Sequence, residues 1–276
     1  MSTVALRPHP DRGAADEIAG AIAERLAERG HALADSVEGA DLVVAVGGDG
    51  TMLRAVDEAA RHGVAVLGVN VGHLGYLTEV DRDHWPRALD RWEAGEARVV
   101  ERMLLSVRVE RAESAAEGTD RPEPLVDGSY LGLNEVVVEK TPIGRMVNLA
   151  VILDGEPFHT YAADGMIVAT PTGSTAYALS ARGPIVDPSH RALLLAPVSP
   201  HSLFDRSLVL SPDTEVRLVV RGDRPATVAI DGRSLGEIGV DDAVIATASP
   251  VPGRLLTFGD LNFHAVLKAK FGLEDR

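Results

Sequence analysis

The feature that most constrains this chain is a continuous apolar run, Leu42–Val46, followed directly by the glycine-rich segment Gly47–Thr51. A run without polar alternation is typical of a strand buried on both faces of a parallel sheet, and residues 51–61 read as a helix. A second apolar run, Val64–Val69, follows that helix, and an amphipathic helix is predicted over residues 12–29. This alternation of buried strands and helices predicts an N-terminal doubly wound, Rossmann-like α/β domain.

The pattern changes after about residue 95, where short β-type segments follow one another with Asp-Gly turn dipeptides among them. Short strands at this spacing predict a C-terminal antiparallel β-sandwich domain, so the fold class is α/β plus all-β. We expect residues 1–96 to form the first domain and residues 97–255 the second, with residues 256–276 packing back on the first. Individual elements expected after residue 96 include strands over 99–111 and 130–139 and helices over 174–181 and 263–271.

Composition narrows the class of protein. The chain has 276 residues, a formal net charge of −14 and no cysteine. The acidic balance argues against a broad basic surface for nucleic acid and against electrostatic docking on anionic lipid. The lack of cysteine excludes disulfides, thiolate catalysis and cysteine-ligated metals. No segment reads as a signal peptide and no apolar run approaches the roughly 18 residues of a membrane span, so we expect a cytoplasmic protein without nucleic-acid or membrane partners.

The segment Gly47–Thr51 is expected at the carboxyl end of a strand, where parallel sheets bind ligands. Glycines there let phosphate groups reach the backbone N–H groups of the helix start, because a side chain would hold them away. The acid among those glycines has two explanations: Asp49 caps the helix, or it accepts the proton of a substrate hydroxyl during phosphoryl transfer. Arg54, in the first turn of the same helix, either pairs with Glu58 or contacts a phosphate.

Polar segments also interrupt the β-type half of the chain. Asn134-Glu135 stands inside an otherwise apolar strand, where its amide and carboxylate groups suit a ribose diol or an adenine edge, unless the pair simply faces solvent. Asp164 is either a ligand-binding acid or part of an ordinary Asp-Gly turn. In the segment Thr170–Tyr177, the hydroxyl of Thr172 or Ser174 either caps the following helix or takes part in binding.

Four elements in this order resemble the NAD kinase family, whose members use ATP or polyphosphate, and the resemblance covers nearly the whole chain. These elements are Gly47–Thr51, Gly68–Leu77, Asn134-Glu135, and Asp164-Gly165 through Thr170–Tyr177. The last is the most specific, because lipid kinases and phosphofructokinases share only the glycine-rich loop or a variant of it. Two positions depart from the family pattern. Tyr76 stands where Phe is usual, and Arg233, two residues after Asp231, stands where Gln or His is common, so the role of Arg233 is open.

The resemblance implies an enzyme that phosphorylates the 2′-hydroxyl of the adenosine ribose of NAD to make NADP, with ATP or polyphosphate as donor and Asp49 as catalytic proton acceptor. Phosphoryl transfer further implies Mg²⁺, held mainly through the nucleotide phosphates. Family members are commonly dimers or tetramers, so a homodimer or homotetramer is expected. The implied substrate- and nucleotide-binding residues are Gly48, Asp49, Gly50, Thr51, Arg54, Tyr76, Asn134, Glu135, Arg145, Asp164, Ser174, Thr175, Ala176, Tyr177, Ala178, Leu179 and Ser180.

Two alternatives belong to other classes of protein. A lipid or sugar kinase sharing the Gly47–Thr51 core would lack the Thr170–Tyr177 segment, and a lipid kinase would show an exposed apolar patch. A non-catalytic dinucleotide-binding protein would bind NAD without turnover and would tolerate the loss of Asp49.

Overall fold

The computed structural model describes residues 1–72, 75–112, 129–141, 145–259 and 262–273. The chain forms two compact units: unit 1 comprises Met1–Arg102 with Val251–Arg276, and unit 2 comprises Met103–Pro250. These limits differ by a few residues from the domains expected at 1–96 and 97–255. The difference arises because residues 98–102 and 253–257 form strands that pair with each other in the sheet of unit 1.

Strands and helices alternate at the start of the chain, and strands predominate from residue 103 onward. Residues 1–102 form β1 (Thr3–Pro8), α1 (Gly13–Glu28), β2 (Ala32–Ala34), β3 (Leu42–Gly47), α2 (Asp49–Ala60), β4 (Ala65–Asn70), β5 (Val80–Asp81), α3 (Trp85–Glu93) and β6 (Arg98–Arg102). Residues 103–170 form β7 (Leu105–Glu110), β8 (Tyr130–Gly132), β9 (Glu135–Lys140), β10 (Val147–Leu153), β11 (Glu156–Ala163) and β12 (Gly165–Ala169). Residues 171–250 form a 3-10 helix (Thr172–Thr175), α4 (Tyr177–Ser180), β13 (Leu193–Val198), β14 (Leu208–Leu210), β15 (Val216–Arg221), β16 (Ala226–Ile230), β17 (Arg233–Ile238) and β18 (Ala243–Ala248). The last elements are β19 (Gly253–Thr257) and α5 (Phe263–Phe271).

The sheet of unit 1 has the strand order β2-β1-β3-β4-β19-β6, with β5 beside β4. Its neighbouring strands are parallel except β19 and β6, which are antiparallel. Leu42 of β3 and Val69 of β4 pack in one core with Ile22 of α1. Gly68 faces the other way, and a Cβ atom there would come 2.7 Å from the Met52 sulfur of α2. Helices therefore cover both faces, which confirms the prediction of a doubly wound domain.

Unit 2 contains two six-stranded antiparallel sheets, β11-β10-β15-β18-β7-β8 and β14-β13-β12-β9-β16-β17. Residues from both sheets, such as Leu149 and Leu218 from the first and Val136 and Val168 from the second, form one core. The outer face of the second sheet has a smaller core of its own, in which Ala178 of α4 packs on the strands. The predicted antiparallel β-sandwich is confirmed.

Two segments expected to be single strands are divided. The segment 99–111 forms β6 and β7, because β6 pairs with β19 in unit 1 while β7 pairs with β18 in unit 2. The segment 130–139 forms β8 and β9, which belong to different sheets. Separately, none of the helices in the described ranges is both long enough and apolar enough to cross a membrane.

Candidate active site

Asp49 is fixed by the backbone of a second loop and not by its own helix. It is the first residue of α2, one position after the N-cap residue Gly48. The Oδ2 atom of Asp49 accepts a hydrogen bond from the backbone N–H of Tyr76 (2.9 Å), and its Oδ1 atom accepts one from that of Leu77 (3.0 Å). The explanation of Asp49 as only a helix cap is therefore wrong, and its carboxylate has a defined orientation.

The loop after β4 is shaped to receive this carboxylate. A Cβ atom at Gly75 would overlap Asp49 Oδ1, so glycine leaves the space that the carboxylate occupies. The backbone N–H of Val71 also donates to the carbonyl oxygen of Gly47 (2.8 Å), which joins the loops after β3 and β4. His73 and Leu74 of this motif lie outside the described residues. The motifs Gly47–Thr51 and Gly68–Leu77, the first two along the chain, are thus joined by hydrogen bonds within unit 1.

Tyr76 is half-buried next to the Asp49 carboxylate. Burial, and then the negative charge of Asp49, raise the pKa of its phenol above the ordinary value. The Nζ atom of Lys270, from α5, lies 4.4 Å from the centre of the Tyr76 ring, within cation–π distance. The C-terminal helix therefore brings a cation to the Tyr76 side of this loop, a contact that no sequence motif indicates.

The fold itself gives no reason for glycine at positions 48 and 50. Gly48 has φ −118° and ψ −166°, an extended conformation open to any residue, and Gly50 is not among the residues with positive φ. A Cβ atom at either position would meet nothing within 4 Å, whereas one at Gly47 would overlap the Thr51 hydroxyl. The surface over Gly48 and Gly50 is therefore an open approach to the backbone N–H groups at the start of α2, as anion binding requires.

Arg54 is exposed on α2, and its expected surface partner is engaged elsewhere. Because α2 begins at Asp49, Arg54 lies in the second turn. Glu58 pairs with Arg7 of β1, with 2.6 Å between Oε2 and Nε. Arg54 has no ion-pair partner within the described ranges, so the proposed Arg54–Glu58 pair is wrong. The buried hydroxyl of Thr51 also lacks a hydrogen-bond partner in the described part of the chain.

In unit 2, one carboxylate holds the backbone around Asn134. Asp231, in the two-residue turn between β16 and β17, accepts hydrogen bonds from the N–H groups of Leu133 (2.7 Å), Asn134 (2.8 Å) and Glu135 (3.0 Å). Asp231 and Gly232 have φ angles of 49° and 76°, as an Asp-Gly hairpin turn requires. An Asp-Gly dipeptide between two β-type segments is a strong sequence signal for such a hairpin, but the sequence pattern does not reveal that Asp231 anchors the Asn134-Glu135 dipeptide.

The segment Thr170–Tyr177 packs directly on the same dipeptide. The backbone N–H of Thr170 donates to the carbonyl oxygen of Asn134 (2.8 Å), and the Thr170 hydroxyl donates to the carbonyl oxygen of Leu133 (2.5 Å). A Cβ atom at Gly173 would overlap the Asn134 carbonyl oxygen, so this close approach requires glycine. The Asn134-Glu135 dipeptide and the Thr170–Tyr177 segment, the third and fourth motifs along the chain, therefore contact each other in unit 2. The side-chain amide of Asn134 is half-buried beside them and has no partner in the described ranges.

The helix expected over 174–181 is shorter and is preceded by a 3-10 turn. The hydroxyls of Thr172 and Ser174 do not cap it. Instead, Thr170 Oγ1 accepts a hydrogen bond from the N–H of Gly173 (3.1 Å). Ser174 Oγ accepts from the N–H of Val186 (3.0 Å) and donates to its carbonyl oxygen (3.1 Å), so this hydroxyl holds a neighbouring loop.

Other side chains of the segment divide between the core and the surface. Ala178 is fully buried in the outer core of unit 2. Thr175 Oγ1 donates to the carbonyl oxygen of Thr172 (3.3 Å). Ala176 and Leu179 are half-buried, whereas Tyr177 and Ser180 are exposed.

Glu135 is a buried carboxyl group. Only 6% of the residue is exposed, and its Oε2 atom is buried without a hydrogen-bond partner in the described part of the chain. Burial, followed by the negative charge of Asp231, raises the pKa of Glu135 to about 8, and a hydrogen bond from the backbone of Tyr177 acts in the opposite direction. Its surroundings thus favour the neutral form at pH 7.

Asp164 is not part of a simple turn. It joins β11 of the first sheet to β12 of the second, and its carboxylate pairs with Lys140 at 2.6 Å. The explanation as an ordinary Asp-Gly turn is therefore wrong. Burial, and then the charges of Glu139 and Asp164, raise the pKa of the Tyr177 phenol, while Lys140 lowers it. The charges of these three side chains therefore act on the Tyr177 phenol.

Arg145 and Arg233 are both exposed, the first just before β10 and the second at the start of β17. Among the residues that the structure describes, no group of three or more His, Asp and Glu side chains could hold a metal ion.

Both units are similar to known proteins. Residues 5–97 match the family model of the ATP-NAD kinase N-terminal domain, and residues 133–257 match that of the ATP-NAD kinase C-terminal domain. The NAD kinase of Heliobacterium modesticaldum is 43% identical over 251 residues, which cover 89% of this chain and 85% of that protein. The NAD kinase of Moorella thermoacetica is 38% identical over 237 residues, which cover 86% and 72%.

Two solved structures share the fold. The crystal structure of yeast NADH kinase complexed with NADH has a TM-score of 0.83 at 22% identity, covering 100% of this chain and 89% of that chain. The crystal structure of an NAD kinase from Archaeoglobus fulgidus in complex with ATP has a TM-score of 0.72 at 25% identity, covering 98% and 96%.

Proposed function

Because this chain belongs to the NAD kinase family, we propose that it transfers the terminal phosphoryl group of ATP to the 2′-hydroxyl of the adenosine ribose of NAD and so makes NADP. The observation that carries this proposal is the Asp49 carboxylate, which two backbone N–H groups hold beside open glycines at the start of α2. Polyphosphate is an alternative donor, since a chain of phosphates suits the same surface.

Asp49 accepts the proton of the attacking 2′-hydroxyl. In a loose phosphoryl-transfer transition state this proton leaves late, so the position of the acceptor matters more than its basicity. Each oxygen of the Asp49 carboxylate accepts one backbone N–H and keeps a further lone pair for the substrate hydroxyl. The same two hydrogen bonds prevent the carboxylate from turning away, which supports a positioning role.

Unit 1 binds the donor phosphates. Backbone N–H groups of Gly48 and Gly50 approach the phosphate oxygens, because no side chain covers the two glycines. The N–H of Thr51 donates to the carbonyl oxygen of Gly48 (2.9 Å), so Thr51 contributes to phosphate binding by fixing the shape of this loop. The guanidinium of Arg54, which has no ion-pair partner within the described ranges, balances the phosphate charge. Tyr76 borders the same carboxylate and contacts the substrate beside it.

Unit 2 holds NAD. Its binding groups include the side chains of Asn134, Glu135, Asp164 and Tyr177, which lie around the junction of the third and fourth motifs. Ser174 and Ala178 contribute through their backbone, because their side chains are engaged by Val186 and by the core. Further proposed contacts come from Arg145, Thr175, Ala176, Leu179 and Ser180.

We also propose that Mg²⁺ accompanies the nucleotide. The donor set fits this ion: the described residues form no complete cage, and the Asp49 carboxylate has free lone pairs beside the phosphate surface. Mg²⁺ is ordinarily held by phosphates, water and one or two carboxylates. When bound, it neutralises charge on the phosphate oxygens. Self-association as a homodimer or homotetramer and a cytoplasmic location stay predictions.

The experiment that tests the proposal incubates the purified full chain with NAD, Mg²⁺ and either ATP or polyphosphate, and measures NADP. We expect NADP with at least one donor. Asp49→Asn is expected to keep NAD binding and to lose most of the turnover, whereas Asp16→Asn, an exposed acid in the first turn of α1, keeps both. No NADP with either donor would refute the function. Unchanged turnover in Asp49→Asn would refute the role of Asp49 and favour a different proton acceptor.

A further inference from the structure

Glu135 combines deep burial with an unused oxygen. The residue begins β9 and is 6% exposed, and Oε2 is buried without a hydrogen-bond partner among the described residues. Leaving a buried neutral acceptor unpaired is unfavourable, and leaving a buried negative charge unpaired is far more so. The local structure therefore needs either a bound partner for Oε2 or a neutral carboxyl group, and these two requirements can be met together.

Among the residues that the structure describes, the charge that acts on the pKa of Glu135 is that of another acid. Lys140, on the same strand, pairs with Asp164 at 2.6 Å. From α4, Tyr177 contributes a backbone hydrogen bond to the Glu135 carboxyl group. From the β16–β17 turn, the charge that acts on the Glu135 carboxyl group is that of Asp231, a second carboxylate.

Asp231 is well suited to carry the negative charge of the pair. Three backbone N–H groups donate to its carboxylate, an arrangement that stabilises the ionised form. Its Oδ1 atom bonds to the backbone N–H of Glu135 itself, so its position relative to Glu135 is fixed. Two carboxyl groups that share a confined site do not both ionise readily, and the better hydrogen-bonded one keeps the charge.

We propose that Glu135 meets NAD as a neutral carboxylic acid whose Oε2–H donates a hydrogen bond to a lone pair of the nucleoside, and that the fixed charge of Asp231 keeps Glu135 in that form. The inference rests on the proposed function for the identity of the ligand. The recognised chemistry is an acceptor atom, either a ribose oxygen or a ring nitrogen. Glu135 is thereby a specificity-determining donor, and Asp231 is a positioning residue that acts through it.

This arrangement makes NAD affinity depend on pH. With a pKa of about 8, roughly nine-tenths of Glu135 is neutral at pH 7 and roughly one-tenth at pH 9. The apparent affinity of a ligand that binds only the neutral form falls with the fraction present. We therefore expect NAD binding to weaken about tenfold between pH 7 and pH 9. The phenol of Tyr177, whose pKa is raised above its ordinary value near 10, stays neutral across this window.

The test measures NAD dissociation constants by calorimetry at pH 7, 8 and 9 for the full chain and three variants. Glu135→Gln keeps a donor of the same size that does not ionise, so it should bind NAD at pH 7 like the wild type and lose the pH dependence. Glu135→Ala should bind weakly at every pH. Glu139→Gln, four residues along the same strand, is the matched control and should keep the wild-type profile. The inference would be overturned if the NAD dissociation constant of Glu135→Gln varied with pH as that of the wild type does. It would also be overturned if Glu135→Gln bound NAD tenfold more weakly than the wild type at pH 7.

A second measurement needs no ligand. The infrared difference between the wild type and Glu135→Gln at pH 7 should contain the C=O stretch of a protonated carboxylic acid, which fades as the pH rises past 8. Absence of this band at pH 7 would overturn the inference whatever the activity. A protein that shows the band but neither binds NAD nor makes NADP would instead refute the proposed function, so the two failures are distinguishable.

Discussion

Replacing Gly50 with alanine should make the protein more stable and less active. Gly50 is the second residue of α2, its φ is not positive, and a Cβ atom there meets nothing within 4 Å. Alanine loses less backbone entropy than glycine when a helix forms, so the free energy of unfolding of unit 1 should rise by about 0.5–1 kcal/mol. A gain in stability on this scale would mean that glycine is retained at position 50 for a reason other than folding.

The same methyl group would stand over the backbone N–H groups that we propose bind phosphate. Losing one hydrogen bond to a charged group costs about 1.5–3 kcal/mol, so kcat/KM for ATP should fall roughly 10- to 150-fold. Because the loss concerns the donor, the KM for NAD should change little. Urea unfolding followed by tryptophan fluorescence suits the stability measurement, since the two tryptophans, Trp85 and Trp92, both lie in unit 1.

Gly20→Ala is the matched control. Gly20 lies within α1, is exposed, and likewise has nothing within 4 Å of its would-be Cβ atom. It should gain similar stability and keep the wild-type kcat/KM. If Gly50→Ala kept wild-type kcat/KM for ATP and for polyphosphate, the open glycine surface would not be the phosphate site. If Gly20→Ala lost as much activity as Gly50→Ala, the loss would reflect altered helices and not phosphate contact.

Two further predictions concern charged groups. Arg54→Met should raise the KM for the phosphate donor about tenfold, because a charge-assisted phosphate contact contributes on this scale, and should change stability little, because Arg54 has no ion-pair partner in the described ranges. Arg7→Met, which breaks the pair with Glu58, is the control and should leave that KM unchanged. Equal KM values in both variants would contradict the phosphate role of Arg54. Glu135→Gln should change how stability depends on pH: the unfolded glutamate ionises near 4.5 and the folded one near 8, so between these values the wild type should lose about 1.4 kcal/mol of stability per pH unit relative to the variant. Urea midpoints read by circular dichroism from pH 5 to pH 8 measure this difference, and parallel curves would refute it.

The elements that sequence reasoning identified are those whose residues carry a local signal. The continuous apolar run of β3 and the periodic apolar face of α1 are visible without knowledge of the rest of the chain. Strand β13 also has an apolar run, Leu193–Ala196, but Pro197 stands within the strand, and a proline ordinarily argues against a paired strand. Strand β2 has only three residues and is defined by its pairing with β1.

The candidate site likewise has features that the sequence shows and features that it does not. The motif residues could be identified from sequence, but what holds them depends on contacts between distant segments. Asp49 looks like a helix cap until the N–H groups of Tyr76 and Leu77 are seen to bind it. Asp231 looks like an ordinary turn residue until its carboxylate is found on the backbone of Leu133–Glu135. Neither the orientation of these acids nor the burial of Glu135 follows from a local pattern.

The Asp231 anchor also bears on the order in which a newly made chain can become competent. Asp49 and Tyr76 are 27 residues apart, whereas Leu133 and Asp231 are 98 apart. Closing the longer loop costs about 1 kcal/mol more in chain entropy. During synthesis, the Asp49 carboxylate can be captured soon after residue 77 has emerged from the ribosome, but the Asn134-Glu135 backbone lacks its anchor until the turn at residues 231–232 has been made. An unfinished chain can thus fix the Asp49 carboxylate early, whereas the backbone around Asn134 is anchored only in the last quarter of translation.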